Sequence, residues 1–229
     1  SDFVSNVSHE LKTPLTAIMG FIETINGPAK NDVEQKEKFL KIIQVEAERM
    51  QRLVNDTLSL TRVEESEYQT PNERVSLWYC ANSACDSVQT LADKKNIKIS
   101  FQKEYQKDEF FIKGNADQIT EVFENLLDNA ITYSKDDTNI TIAFSEKEEN
   151  IEFKIIDQGH GIPKDDIVRV SERFFRSKTA NMYKKNSSGL GLAIVKHIIN
   201  RHAGSLLIES TEGKGSTFTI TLPKFPAGS

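Results

Sequence analysis

A histidine, a glutamate and a threonine lie close together near the start of the chain, at His9, Glu10 and Thr13. A neutral imidazole is nucleophilic near neutral pH, and a neighbouring carboxylate can fix the tautomer of its ring. On a helix, Thr13 would lie one turn from His9 on the same side. The trio is suited to accepting a transferred group, although a single exposed histidine is more often an ordinary surface side chain.

Two asparagines in the middle of the chain, Asn125 and Asn129, are four residues apart. On a helix this spacing puts both amides on one side. They would lie clear of the apolar face formed by Ile119, Val122, Phe123, Leu126 and Ala130. Because asparagine is a mediocre helix former, the pair is better explained as ligands than as incidental polar surface.

Two glycine-rich segments lie near predicted strand and helix ends. They are Asp157-Gln158-Gly159-His160-Gly161-Ile162, after a predicted strand, and Ser188-Gly189-Leu190-Gly191-Leu192, which opens a predicted helix. Glycines let a backbone approach a ligand closely, and the amides at a helix amino terminus favour phosphate. Either segment alone is a weak indication, since the second also fits a simple glycine turn. Residues 213–216 fit either a further glycine motif or a hairpin turn.

The helix that must carry His9 follows from hydrophobic periodicity. Residues 2–26 are predicted to form one amphipathic helix, which ends at the Asn-Gly-Pro turn of residues 26–28. Its apolar stripe comprises Val4, Val7, Leu11, Leu15, Ile18, Ile22 and Ile25. The stripe leaves His9 on the opposite side, facing water, and Pro14 should kink the helix just after it.

A second helix is predicted from a capping box at Asp32 and Gln35 to about Glu65. Its stripe comprises Leu40, Ile43, Ala47, Met50, Val54 and Leu58. Two antiparallel helices cannot cover both stripes between them, whereas two copies of the hairpin can close a four-helix bundle. We therefore expect an all-α hairpin over residues 1–66 that forms a homodimer.

A linker is predicted at residues 67–74, and a second domain at residues 75–225. Its pattern indicates an α/β sandwich, a mixed sheet covered by helices. The predicted helices are 76–94, 116–133 and 190–202, and the predicted strands are 97–101, 110–113, 139–144, 151–156, 205–209 and 216–221.

The composition of the 229-residue chain excludes several classes of protein. Its net charge of −5 with interspersed signs argues against a nucleic-acid partner. No apolar run approaches the length of a membrane span. The two cysteines are too few for a disulfide framework or a thiolate metal site, which fits a reducing cytoplasm. His160, His197 and His202 lack the spacing of a metal site and are expected to be structural or solvated.

The segment Ser8-His9-Glu10-Leu11-Lys12-Thr13-Pro14-Leu15 resembles the H-box of sensor histidine kinases of two-component systems. This resemblance implies that His9 is the phosphoacceptor and that Glu10 is the acid/base beside it. It implies that Thr13 positions water when the phosphoaspartate of a partner is hydrolysed. The run from Phe3 to His9 and the helix near 191–203 also look similar to phosphate-regulon sensors.

The second domain resembles the Bergerat-fold ATP-binding domain shared by histidine kinases, gyrase-type ATPases and Hsp90-type chaperones. Asn125-Leu126-Leu127-Asp128-Asn129-Ala130 resembles its N-box, residues 157–162 its G1 box, residues 172–176 its F-box and residues 188–192 its G2 box. The resemblance implies that Asn125 and Asn129 hold Mg²⁺ against the phosphates of ATP and that Asp157 accepts from the adenine amino group. The implied nucleotide contacts further include Tyr133, Lys135, Gly159, Gly161, Ile162, Phe175, Arg176, Ser188, Gly189, Leu190, Gly191 and Leu192, with an ATP lid at 177–188.

Two positions, Thr132 and Ser187, depart from the family pattern. Thr132 stands where many relatives carry a lysine, so Lys135 or Arg176 would have to supply the missing cation. Ser187 replaces a glycine that is common at the start of the G2 box. Tyr133 either stacks near adenine or belongs to the core. Asn125 stands where the hydrolysing relatives carry a glutamate, which favours transfer to a protein over hydrolysis.

The resemblance implies an ATP-dependent histidine kinase that phosphorylates His9, passes the phosphoryl group to the receiver domain of a response regulator and acts as its phosphatase. The alternatives are a pseudokinase scaffold that docks the regulator without turnover and a hydrolytic ATPase, which leaves the H-box unexplained. The resemblance also implies that this is the cytoplasmic portion of an inner- or plasma-membrane sensor, anchored through segments outside the sequence.

Overall fold

The computed structural model describes residues 2–65, 71–103, 110–177 and 187–226. Its first part is a hairpin of two helices, α1 (Asp2–Asn26) and α2 (Val33–Glu65). The carboxylate of Asp32 caps α2, because its Oδ1 accepts the Gln35 backbone N–H at 2.9 Å. Both helices therefore begin and end close to the predicted positions. No helix among the described residues is long and apolar enough to cross a membrane.

The second part is an α/β domain in which helices cover a mixed sheet, as predicted. Its elements are β1 (Glu73–Ser76), α3 (Leu77–Asp93), β2 (Lys98–Phe101), β3 (Phe111–Gly114), α4 (Ala116–Tyr133), β4 (Asn139–Lys147), β5 (Asn150–Ile156), α5 (Gly191–Arg201), β6 (Ser205–Thr211) and β7 (Gly215–Pro223). Most of the predicted ATP lid lies outside the described residues. Helix α4, which carries both asparagines, has the predicted bounds.

The main sheet has the strand order β2-β4-β5-β7-β6. Strands β2 and β4 are parallel, and the other neighbours are antiparallel. Helices α3, α4 and α5 pack on one another and on this sheet. The rings of Phe123 on α4 and Phe153 on β5 stack with centroids 4.3 Å apart, and both are fully buried. This packing fixes the height and rotation of α4 above the sheet.

Strand β1 was not predicted, and its first residues, Glu73 and Arg74, fall within the range assigned to the linker. It pairs antiparallel with β3 in a separate two-stranded sheet, from Glu73 opposite Gly114 to Ser76 opposite Phe111. The guanidinium carbon of Arg74 lies 3.7 Å from the centre of the Phe111 ring. A strand of four residues that begins with two charged ones has no readable alternation, so only its partner reveals it.

Helix α2 has a second apolar face that the predicted stripe did not include. Leu53, Leu60 and Val63 are buried and join the core of the α/β domain, against which α2 packs through α5. The predicted stripes remain partly open, with Val4, Leu15, Ile22, Leu40, Val54 and Leu58 all exposed. Helix α2 therefore supports the α/β domain with one face and leaves the other uncovered.

Candidate functional site

A cavity of about 520 Å³ lies between α4, α5 and the loop after β5. Its walls include twelve residues that the sequence singled out: Asn125, Asn129, Tyr133, Asp157, Gly161, Ile162, Phe175, Arg176, Ser188, Gly189, Gly191 and Leu192. Three other candidates lie off the wall. Gly159 is packed beneath the loop, Leu190 is fully buried in the core, and Lys135 is exposed outside the cavity. Of the two cations proposed to replace the missing lysine, Arg176 alone lines the cavity.

The two asparagines of α4 both face the cavity because α4 turns its apolar side to the sheet. Asn125 Nδ2 donates to the Glu121 carbonyl at 2.9 Å, which leaves its Oδ1 directed toward the start of α5. Asn129 follows one turn later on the same wall. Asn125 therefore offers an oxygen atom beside the start of α5, and Asn129 lies near it on the same wall.

Oxygen donors on this wall fit a hard divalent cation. Glu121, Glu124 and Asp128 line the cavity beside the two asparagines. Within the described part of the chain, no group of three or more His, Cys, Asp or Glu side chains is placed to hold a metal on its own. Mg²⁺ is typically held by one or two protein ligands together with phosphate oxygens and waters, so the arrangement suits a cation that arrives with a phosphate ligand.

Asp157, at the end of β5, is a buried carboxylate held by backbone amides. Its Oδ1 accepts the N–H groups of Gly159 at 2.8 Å and Ser216 at 3.1 Å. Burial raises the pKa of Asp157, and the two hydrogen bonds oppose that rise. The carboxylate is thus fixed in position at the floor of the cavity, suited to accept a hydrogen bond from a ligand.

The loop that follows Asp157 rests on the end of α4. The His160 N–H donates to the Tyr133 carbonyl at 3.1 Å. A β-carbon at position 159 would lie 2.6 Å from that same carbonyl oxygen, so only glycine fits there. Gly161 has φ of +69°, and a β-carbon there would meet the Thr211 carbonyl. Both glycines of the motif are therefore required by close backbone contacts.

Tyr133 lines the cavity and also contacts the far side of the site. Its hydroxyl makes a side-chain hydrogen bond with Ser187, and burial raises its pKa. The neighbouring ring of Phe175 also lines the cavity and lies under the guanidinium of Arg169, whose central carbon is 4.4 Å from the ring centre. Tyr133 thus joins the end of α4 to Ser187, just before the turn that leads into α5.

The turn before α5 is built for a close approach of backbone to ligand. Gly189 has φ of +72°, and its carbonyl accepts the Phe174 N–H at 2.9 Å. The hydroxyl of Ser188 accepts the Leu190 N–H at 3.1 Å. Helix α5 then begins at Gly191, so the first free amides of the helix and its dipole lie at the cavity wall.

Helix α2 forms part of the cavity wall through Arg52 and Asp56, which sequence reasoning missed. The Ser188 hydroxyl donates to Asp56 Oδ2, so the turn before α5 is tied to α2. The Ser59 hydroxyl likewise donates to the Glu121 carboxylate on α4. These contacts join residues more than sixty positions apart, and no local pattern could have identified them. Glu121 is different, because it lies one helical turn before Asn125 in the sequence. That spacing could have identified Glu121 as a residue of the same wall.

A further contact joins both helices of the hairpin to the predicted F-box. The Arg173 guanidinium pairs with the Glu64 carboxylate of α2. Its central carbon also lies 5.3 Å from the centre of the Phe3 ring on α1, and that ring lies 5.9 Å from Phe174. The α/β domain is therefore docked on the hairpin on the side of the cavity.

His9 and Thr13 of α1 lie on the outside of the hairpin, as predicted, whereas Glu10 is turned toward α2. His9 and Thr13 are exposed, and the Thr13 hydroxyl donates to the His9 carbonyl at 3.4 Å. Glu10 is half-buried, and its Oε2 lies 3.0 Å from Nη2 of Arg49 on α2. Arg49 was not among the candidates. It fixes the carboxylate beside His9 while leaving the imidazole open to a reactant.

Two family models match the chain. Residues 1–66 match the His Kinase A (phospho-acceptor) domain. Residues 114–226 match the family described as histidine kinase-, DNA gyrase B-, and HSP90-like ATPase.

Similar curated proteins cover almost the whole chain. The sensor histidine kinase WalK of Bacillus subtilis (strain 168) is 35% identical over 97% of the chain, which covers 36% of that protein. The phosphate regulon sensor protein PhoR of Pseudomonas aeruginosa is 36% identical over 95% of the chain, which covers 48% of that protein. The chain thus spans less than half the length of these two relatives.

Solved structures share the fold. The Acinetobacter baumannii histidine kinase AdeS superposes with a TM-score of 0.71 at 24% identity, over 95% of this chain and 98% of that one. A structure of the histidine kinase ThkA in complex with the response regulator protein TrrA gives a TM-score of 0.75 at 21% identity, over 100% of this chain and 63% of that one. Because both identities are below 25%, these structures show only that the two parts of the chain share their fold.

Proposed function

The chain belongs to the sensor histidine kinases, and from that premise we propose that it transfers the γ-phosphoryl group of ATP to His9 and then to an aspartate of a response regulator. The observation that carries this proposal is the convergence of Asn125, Asn129 and Asp157 on one cavity, in a chain that also presents His9 to solvent. A binding site for the donor and an exposed acceptor are the two parts that the reaction needs.

In this proposal the cavity binds ATP by its two ends. The Asp157 carboxylate accepts a hydrogen bond from the adenine amino group at the floor of the cavity. The amides at the start of α5, next to Gly189 and Gly191, face the phosphates, where helix dipole and free N–H groups stabilise negative charge. Arg176 supplies a further cation. Each group is supported by its place on the wall of the cavity.

Mg²⁺ would be held by the amide oxygens of Asn125 and Asn129, and it would neutralise charge on the phosphates during transfer. Glu121 and Asp128 lie on the same wall and would bind waters of its hydration shell. The chain supplies no carboxylate at position 125 to activate a water molecule. We therefore expect the γ-phosphoryl group to pass to a protein acceptor in preference to water.

His9 acts as the nucleophile in this proposal. One of its ring nitrogens forms the N–P bond as the bond between the γ-phosphorus and the departing ADP oxygen breaks. Glu10 orients the imidazole and takes up the proton that the ring releases. Arg49 supports this role because its guanidinium, with Nη2 3.0 Å from Glu10 Oε2, holds the carboxylate in place beside His9.

The same surface would serve the response regulator. We assign Thr13 the positioning of a water molecule that hydrolyses the regulator's phosphoaspartate, which makes the protein a phosphatase as well as a kinase.

We further propose that two copies join through the exposed stripes of α1 and α2. In this proposal the natural protein is a longer, membrane-anchored sensor, and this chain is its cytoplasmic part. The domain limits of 1–66 and 75–225, with a linker between them, belong to this proposal, and β1 moves the start of the second domain to Glu73.

The test is to incubate the chain with Mg²⁺ and ATP labelled in the γ-phosphate, and to measure how stable the protein-bound label is. Phosphohistidine is lost in acid and survives alkali, whereas phosphoserine and phosphothreonine survive acid. We expect an acid-labile, alkali-stable label that is absent from His9→Ala and present in His197→Ala. Label retained in His9→Ala would place the acceptor elsewhere, and release of free phosphate without label would favour a hydrolytic ATPase.

A further inference from the structure

Lys95, in the turn after α3, caps the carboxyl-terminal end of α4. Its Nζ donates to three carbonyl oxygens, those of Ile131, Thr132 and Ser134, each at 2.9 Å. An ammonium group has three N–H donors, so all of them are used. The last carbonyls of a helix lack partners within the helix and carry its negative dipole end, so the half-buried ammonium of Lys95 is favoured there.

The backbone of Lys95 strengthens the same attachment. Its carbonyl accepts the Asp137 N–H at 3.0 Å, and the side chain of the next residue, Asn96, donates to the Asp137 carboxylate. The turn after α3 therefore holds the chain on both sides of residue 134. This segment cannot shift without breaking several of these hydrogen bonds together.

The capped end of α4 is the surface on which the Asp157 loop rests. Between the carbonyls that Lys95 binds, the Tyr133 carbonyl accepts the His160 N–H at 3.1 Å. Ser134 also forms an isolated antiparallel bridge with Gly159, whose N–H donates to Asp157 Oδ1 at 2.8 Å. Hydrogen bonds joined by short stretches of backbone thus connect the Lys95 ammonium to the Asp157 carboxylate.

We propose that Lys95 is a positioning residue for base recognition: by fixing the carbonyls of Ile131, Thr132 and Ser134, it sets the height of the Asp157 loop and hence the preference of the cavity for adenine. The base-recognition step rests on the nucleotide site proposed above, whereas the hold of Lys95 on the loop does not. The ammonium itself touches no nucleotide, because its three donors are already bound to backbone carbonyls.

The lowered pKa of His160 supports the proximity of Lys95 to this loop. Burial is its largest cause, and the positive charges of Lys135 and Lys95 lower it further. The charge of Lys95 therefore acts on His160, the residue whose N–H anchors the loop.

The first experiment compares Lys95→Met with its exposed neighbour variant Lys94→Met. Calorimetry on the whole chain would give the affinities for a non-hydrolysable ATP analogue and for the matching ITP analogue, which has an oxo group in place of the adenine amino group. We expect Lys95→Met to reduce the ATP-over-ITP preference by about fivefold or more, because a displaced Asp157 no longer meets the amino group. Lys94→Met should keep the wild-type preference. An unchanged preference in folded Lys95→Met would overturn the proposal, since general destabilisation lowers both affinities alike.

The second experiment needs no nucleotide. Hydrogen exchange of the His160 amide should be at least about tenfold faster in Lys95→Met than in wild type, because its acceptor carbonyl loses its fixed position. Lys95→Arg keeps the charge, but a flat guanidinium cannot direct three N–H groups at three carbonyls around one atom, so intermediate exchange and preference are expected. Unchanged exchange in both variants would refute the hold on the loop. If wild type bound no ATP analogue while the exchange result held, the proposed nucleotide site and base-recognition role would fail, and only the hold of Lys95 on the loop would stand.

Discussion

The α-carbon of Gly191 lies against the side-chain oxygen of Asn125. A β-carbon built at Gly191 would come within 2.6 Å of Asn125 Oδ1, closer than any ordinary contact. The two residues belong to separate motifs, one at the start of α5 and one in the middle of α4. Their contact shows that glycine is needed at position 191 to leave room for the amide of a neighbouring helix, since its φ lies outside the left-handed range.

Gly191→Ala should therefore displace the Asn125 side chain. Binding of an ATP analogue should weaken by about tenfold, which corresponds to the loss of one hydrogen bond or one metal ligand. The fold should survive, because alanine is a better helix former than glycine. Calorimetry in the presence of Mg²⁺ measures the loss. Gly20→Ala in α1, where a β-carbon meets nothing within 4 Å, is the matched control. Wild-type affinity in Gly191→Ala would mean that Asn125 does not contribute to the site.

Asn129→Ala and Asp157→Ala should each greatly weaken nucleotide binding, the first by losing a cation ligand and the second by leaving the adenine amino group unpaired. The two variants differ in one respect that calorimetry can detect. Binding to Asn129→Ala should lose its dependence on Mg²⁺, whereas residual binding to Asp157→Ala should lose its preference for adenine. Wild-type affinity in both would place the nucleotide outside this cavity.

The sequence was sufficient to predict the hairpin and α4, because the residues that determine these helices lie close together along the chain. The bounds of α4 follow from the cap at Asn115, whose Oδ1 accepts the Gln118 N–H at 3.0 Å, and from a continuous apolar face. Helical spacing then put Asn125 and Asn129 on one side, and the structure brings both to the cavity. Patterns within one turn of a helix determine such features, and they can be read without the fold.

Contacts made across the fold could not be read in the same way. The three carbonyls bound by Lys95 are 36 to 39 residues away, and Asp56 is 132 residues from Ser188. Helix α2 carries apolar residues on two faces, and the sequence alone does not say that Leu60 docks on the α/β domain while Leu58 stays exposed. The part of the site contributed by α2 was missed for that reason.

We expect the chain to be a homodimer, because Val4 is 68% exposed and Leu15, Ile22 and Leu58 are about half exposed on the hairpin. Light scattering at micromolar concentration should give twice the mass of one chain. Ile22→Glu buries a charge in the proposed interface and should shift the protein toward monomer by at least about tenfold in dissociation constant. Val168→Glu changes an apolar residue that is 83% exposed in the other domain and should leave the dimer intact. A wild-type monomer with its helices formed would refute the bundle.

His202 should make folding sensitive to mild acid. Its Nε2 accepts the Asn115 N–H at 3.1 Å and its Nδ1 donates to the Ile198 carbonyl at 2.8 Å, so only the neutral ring satisfies both partners. Burial is the main reason that the pKa of His202 lies below its ordinary value of 6.5, although the bond to Ile198 opposes it. The unfolded chain therefore binds a proton at a pH where the folded chain does not. The free energy of unfolding should fall as pH drops below about 6.5, by up to about 1.4 kcal/mol per pH unit, until the folded pKa is reached.

Denaturation in urea at a series of pH values measures this slope, and His202→Gln is the comparison that isolates it. Glutamine keeps an acceptor for the Asn115 N–H but does not titrate, so the slope near pH 6 should be smaller in the variant. Burial raises the pKa of Glu121 and Asp157, and such carboxyls gain stability as pH falls, opposite to His202. An equal slope in both proteins would show that His202 does not titrate in this window.

Thr13→Ala should separate the two activities assigned to one face of α1. The variant keeps His9 and Glu10 and removes a hydroxyl whose only described bond is a 3.4 Å contact with the His9 carbonyl. Autophosphorylation should persist at about the wild-type rate, while dephosphorylation of the phosphorylated regulator should slow by at least about tenfold if that hydroxyl orients the attacking water. Helix propensity cannot explain such a result, because alanine is the better helix former and Thr13 is exposed.

Thr24→Ala is the control for this prediction. Thr24 makes the same kind of bond, to the Gly20 carbonyl at 2.8 Å, on the same face of α1 about three turns further on. The decisive data are two rates in each variant, label gained by His9 and label lost from the regulator. If both rates fell together in Thr13→Ala, the threonine would be shaping the helix around Pro14, and its role in hydrolysis would be withdrawn.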